Sequence, residues 1–218
     1  MNRRYSRRTI KTSKLRETLL THLENNIREY IIITIIFLIG IIIGVIFINN
    51  TSAEQESEIN NYILSFINNL KENSNINEPA LLKDSISKNC VLAIFLWFMG
   101  STVIGISIVY LTICFRGFCL GYTISSIILT CGIGKGILFL FSAVLLQNIL
   151  FIPSIIALAV SGMRLHNSIM KDKRRENIKL EILRHTLFSG LLLIFLIISS
   201  VVEVYISKNI FLTVIKYI

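Results

Sequence analysis

Long apolar runs separated by short polar segments, most of them basic, organise this chain. A helix crosses bilayer hydrocarbon with about 20 consecutive apolar residues, and the charge-free run Tyr30–Ile48 (YIIITIIFLIGIIIGVIFI) has that length. Cys90–Phe115 is a second charge-free run. Arg116 interrupts it, and Gly117–Cys131 continues for only 15 residues, so this third segment either crosses or re-enters. Ile137–Val160 and Thr186–Ile206 follow, the last carrying one acid, Glu203. The pattern predicts an all-α integral membrane protein, one polytopic domain over residues 1–218 with about five transmembrane helices.

The polar segments carry further helical spacing. Leu15, Leu19, Leu23 and Ile27 recur every four residues and predict a helix on the inner leaflet, within a basic arm over residues 1–29. In the 49–89 segment, Ile59, Tyr62, Ile63, Phe66, Ile67 and Leu70 form one apolar stripe, with asparagines filling most of the other face. Glu54, Glu56 and Glu58 sit at the N-terminal end of that helix, where its dipole favours them. Such a helix either lies on the outer leaflet or docks an extracytoplasmic partner. The tail residues Ile210, Phe211, Val214, Ile215 and Ile218 have similar spacing and predict a return to the membrane surface.

Charge orients the spans. Residues 1–29 hold eight Lys or Arg, residues 163–185 hold seven, and 49–89 holds three against six acids. Cytoplasmic loops are enriched in Lys and Arg. The N-terminus and 163–185 are therefore expected inside, with 49–89 and the C-terminus outside. Of the 218 residues 53% are hydrophobic and 16% charged, too apolar a balance for a soluble enzyme. The net charge of +9 is accounted for by topology and by contact with anionic membrane lipid, so no nucleic-acid partner is expected.

Candidate chemistry is sparse. Cys90, Cys114, Cys119 and Cys131 form no C-x-x-C pair, with Cys114 and Cys119 expected near the inner face. His22, His166 and His185 fall in segments expected to be cytoplasmic, none at metal-ligand spacing. GIGKG at Gly132–Gly136 lacks the spacing of a phosphate loop and reads as a turn between spans. No catalytic residue, cofactor or metal is expected.

Within the spans, Gly40-x-x-x-Gly44 and Gly117-x-x-x-Gly121 permit close helix approach, between spans or in a homodimer. Gln147 and Asn148 lie halfway along the expected fourth span, followed by Pro153. The amides either bond between helices or line a polar cavity. Glu203, near the outer end of the fifth span, is either neutral, solvated at the interface or paired with Lys135, or else functional.

Four ordered blocks then give the chain a resemblance: FLIGIIIGVIFINN (Phe37–Asn50), FRGFCLGYT (Phe115–Thr123, with Arg116, Gly117 and Gly121), QNILFIP (Gln147–Pro153) and ISSVVEVYIS (Ile198–Ser207). Together they resemble the stage II sporulation protein M family of endospore-forming bacteria, over nearly the whole chain. That resemblance implies a non-enzymatic membrane scaffold for engulfment, in the septal membrane. It implies two peptidoglycan-degrading partners, sporulation protein D (a lytic transglycosylase) and sporulation protein P (an amidase and endopeptidase). It implies no catalytic residues. The rival reading of the residues is a membrane subunit of a transporter or channel, with a separate ATPase docking on 163–185.

Overall fold

The computed structural model describes residues 26–72, 77–102, 104–141, 146–171, 178–207 and 209–210. The expected inner-leaflet helix over Leu15–Leu23 and most of the C-terminal tail lie outside the described residues. Those that are described form helices and turns without a strand: α1 (Ile27–Asn49), α2 (Ala53–Glu72), α3 (Glu78–Gly100), α4 (Gly105–Cys131), α5 (Ile133–Leu140), α6 (Leu146–Lys171) and α7 (Ile178–Val202), closed by a π-helical turn, Glu203–Ser207. Among the described residues four helical stretches are long and apolar enough to cross a membrane: α1, α4, Gln147–Met170 of α6, and Ile178–Ser207.

Local chemistry sets the helix starts. Ser52 and Gln55 form a capping box before α2, the Gln55 backbone N–H donating to Ser52 Oγ (3.4 Å) and the Ser52 N–H to Gln55 Oε1 (3.3 Å). Asn77 caps α3 by accepting from the Ala80 N–H (3.2 Å), and Pro79 occupies the first turn, where its missing N–H costs nothing.

Two expected boundaries are corrected. The run Cys90–Phe115 is not one helix: α3 begins at Glu78 and ends at Gly100, and the chain turns there. Ser101 Oγ donates to the Trp97 carbonyl (2.9 Å) and Thr102 Oγ1 to that of Met99 (3.0 Å), so side-chain hydroxyls take the terminal carbonyls. A Cβ on Gly105 would overlap the Met99 carbonyl, so the tight reversal needs glycine there. Arg116 marks no junction. It lies inside the unbroken helix α4, because a charge ends a hydropathy run but arginine is a good helix former. Cys114 and Cys119 therefore flank the middle of α4 and not its inner end.

The second correction concerns Ile137–Val160. α4 ends at Gly132, whose φ of 78° turns the chain back, and α5 doubles along the last turns of α4. A Cβ on Gly136 would lie 3.0 Å from Ile128 Cα. Gln147 and Asn148 consequently occupy the first turn of α6, not the middle of a helix. Because α5 retraces about 12 Å of depth at about 1.5 Å per residue, that first turn is inside the bundle.

Helix directions follow from the contacts. α1 runs parallel to α4, and α3 and α6 run antiparallel to α7. Among the described residues five helices thus run along the bundle, although α3 has the length of a span without its composition, carrying Glu78, Lys83, Asp84 and Lys88 in its first half. α6 is the central helix: every residue from Ser154 to Gly162 is buried, and Ile155, Leu158 and Val160 are fully enclosed by Leu96, Ile113, Leu192 and Leu196 among others. The side chains of Ile31, Ile35, Leu38, Ile42 and Ile46 on α1 are instead exposed, the surface a lipid-facing helix presents.

Candidate functional site

The glycine pairs explain how α1 and α4 come together. A Cβ on Gly40 would overlap the Cys114 carbonyl, and one on Gly44 the Phe118 carbonyl. Reciprocally, Gly117 leaves no room beside the Phe37 carbonyl, nor Gly121 beside that of Ile41. The two G-x-x-x-G motifs therefore face each other within one chain, so the close approach is made between spans. Phe47, Phe118 and Tyr122 cluster alongside the seam in edge-on and tilted contacts, with ring centroids 5.7–6.2 Å apart.

With α1 on one side, α4 offers its other faces to two cavities. The first is polar, about 440 Å³, and lies between α3, α4, α6 and the π turn. Here the fold assembles Arg116, Gln147, Asn148 and Glu203, four residues expected separately from the sequence. Glu203 Oε2 accepts from Gln147 Nε2 (2.7 Å) and from Ser85 Oγ. The π turn begins at Glu203, and such turns recur at functional sites. Ser199 Oγ donates to the Gln147 carbonyl (3.1 Å), fixing the start of α6 against α7. Arg116 carries its guanidinium carbon 5.5 Å from the centroid of the Phe151 ring, a cation–π geometry.

Sequence reading missed the α3 wall. Leu81, Asp84, Ser85, Lys88 and Asn89 line the cavity, although the segment up to 89 reads as an outer loop. Asn89, buried, donates from Nδ2 to Ser200 Oγ (2.8 Å) and to the Leu196 carbonyl (3.3 Å). The available signal was the i, i+4 spacing of Ser85 and Asn89, which puts them on one face of a helix. Asp84 and Lys88 pair at 2.6 Å on its exposed edge. Pro153 is exposed on α6 and lies outside the cavity lining. One residue on, Ser154 Oγ donates to the Leu150 carbonyl (2.7 Å).

The second cavity is an apolar groove of about 440 Å³ between α2, α4 and α5. The α2 stripe divides in two. Ile67 is buried against Ile127, Phe139 and Leu140, with Ile63 partly buried beside it. Tyr62 is 75% exposed and Phe66 47%, and both line the groove with Ile59 and Ile63. Thr130 Oγ1 donates to Asn60 Oδ1 (2.6 Å), so a hydrogen bond also ties α2 to the end of α4. The Leu70 side chain lies outside the described set.

At the opposite end of the bundle, His185 is not in a cytoplasmic loop. It is buried in α7, its Nδ1 2.8 Å from Ser161 Oγ and its Nε2 3.4 Å from the Trp97 carbonyl. It sits over the contact of Gly100 with Gly162, where a Cβ on Gly100 would come 2.7 Å from Gly162 Cα. Its role is to fill and satisfy a buried corner. Among the described residues no group of three His, Cys, Asp or Glu side chains gathers as a metal site.

These features define a multi-pass α-helical membrane protein with a displayed end helix and a polar cavity in its bundle. The chain matches the stage II sporulation protein M family over residues 33–208, and it belongs to that family. It is also 29% identical, over 185 residues, to an uncharacterized protein of Methanocaldococcus jannaschii, an alignment covering 83% of this chain and 94% of the archaeal one. No solved structure matches it.

Proposed function

We propose that the protein is a non-enzymatic membrane scaffold that holds peptidoglycan hydrolases against the outer face of the septal, engulfing membrane during sporulation. The observation that supports this reading most directly is the division of α2. Ile67 and the Asn60–Thr130 hydrogen bond fasten the helix, while Tyr62 and Phe66 stay exposed over an apolar groove. A helix held in place before binding has already lost the freedom that docking would otherwise cost. Aromatic side chains exposed on such a support are typical of binding hot spots.

The partners proposed are those the resemblance implies: a lytic transglycosylase like sporulation protein D and an amidase and endopeptidase like sporulation protein P. Tethering confines enzymes that would otherwise cut an extended wall anywhere, by raising their effective concentration at the membrane. The test is affinity capture of the tagged chain from sporulating cells in mild detergent. The wild type is expected to recover both wall enzymes, and the Tyr62→Asp/Phe66→Asp variant neither. Recovery of a cytoplasmic ATPase without wall enzymes would sink the scaffold.

The polar cavity favours a second reading, a transporter or channel subunit. On that reading, Gln147→Leu with Asn148→Leu abolishes a flux that the α2 variant leaves intact.

A further inference from the structure

Arg116 poses a problem that the fold does not solve by itself. At about 1.5 Å per residue it sits about 17 Å from the Gly105 end of α4 and about 22 Å from the Cys131 end, deep within a spanning helix. A guanidinium at such depth is costly unless a counter-charge or polar group meets it, and intramembrane ionisable groups mark binding and transport sites. Both acids of the cavity are engaged elsewhere. Asp84 pairs with Lys88 at 2.6 Å, and Glu203 receives Ser85 and Gln147. Among the described residues Arg116 has the Phe151 ring and no ion pair. A cation–π contact with a ring face supplies no acceptor for the guanidinium N–H groups, the fork that takes two oxygens of an oxyanion at once.

The space beside it is of ligand size, about 440 Å³, and its lining carries a second cation in Lys88. We propose that this cavity binds a phosphate-bearing ligand, with Arg116 as its anchor. The phosphate is either a free solute or the headgroup of a phospholipid entering from the bilayer. The inference rests on the cavity alone, not on the scaffold reading, since the groove beneath α2 has no part in it.

The full chain in maltoside detergent, which carries no phosphate, would be titrated calorimetrically with inorganic phosphate against chloride. In parallel, the chain extracted from phosphatidylglycerol-containing vesicles would be examined by native mass spectrometry for retained lipid. Saturable binding in either arm is expected, weakened at least about tenfold in Arg116→Gln, the scale of a lost charge-assisted pair, and largely restored in Arg116→Lys. A phosphate response identifies a solute site, and lipid retention without it identifies a headgroup site. No binding in both arms, or equal binding by Arg116→Gln, overturns the proposal. Should Arg116→Gln fail to fold, the wild type decides: phosphate or phosphatidylglycerol must slow phenylglyoxal modification of Arg116, and unslowed modification overturns it. The Tyr62→Asp/Phe66→Asp variant should bind as the wild type does, so failure here and failure of the scaffold are separable.

Discussion

Two cavities of similar volume share α4 as a wall, with Thr123 lining both, and they differ in nearly everything else. The groove beneath α2 is apolar, faces one end of the bundle, and is built from α2 against the neighbouring pair α4 and α5, with Asn60 and Thr130 joined across 70 residues. The polar cavity is enclosed by segments far apart in the chain: Ser85 and Glu203, 118 residues apart, meet across it. An apolar groove with exposed aromatics suits a protein surface, where the gain comes from excluding water. A cavity of opposed charges and amides suits a small polar group, whose bonds must match those it gives up to water. One helix thus serves two kinds of recognition, because its faces meet different solvents and partners.

The largest expected perturbation removes the common wall. Gly121→Leu would drive a side chain into the Ile41 backbone, and overpacking against backbone should cost about 3 kcal/mol or more. Loss of monodisperse protein in size-exclusion chromatography checks it, and both cavities should fail together. Next, Tyr62→Asp with Phe66→Asp should break the groove alone. Recovery of hydrolases should fall at least about tenfold, the scale of a hot-spot pair, with unchanged thermal unfolding, because both side chains are already exposed.

Glu203→Ala should damage the cavity alone. It strands Ser85 and Gln147 as donors, a cost of about 1–3 kcal/mol readable as a lower midpoint in detergent, with hydrolase capture retained. The smallest effect is expected from Thr130→Val, which deletes the bond to Asn60. About 0.5–1 kcal/mol should appear as faster amide exchange confined to α2, and exchange spreading into α6 would contradict the separation of the two regions.

Much of this architecture was legible in order and spacing. The apolar runs at 30–48 and 186–206 each fall within one helical stretch. The α2 stripe is a helix, and the glycine motifs are contact points, since a four-residue period on a helix leaves only one face for them. What composition misplaced were boundaries. Arg116 looked like an end and Gly100–Gly105 like an interior, because hydropathy measures transfer out of water, whereas a helix ends where hydroxyls and glycines take over its last carbonyls.

The sequence alone thus determined that the chain belongs to a membrane, that its apolar runs are helical, and where helices approach closely. These properties are local: each follows from residues within a few turns of one another. Tertiary structure decided which side of each helix faces a partner. It turned half of the α2 stripe inward, spent the glycine pairs within the chain, and folded α5 back so that Gln147 starts α6 beside Glu203. It also brought Ser85, Arg116 and Glu203 to one cavity. No local pattern specifies such a meeting, because it depends on how the other four traverses pack around the buried helix α6, and that packing is a property of the whole chain.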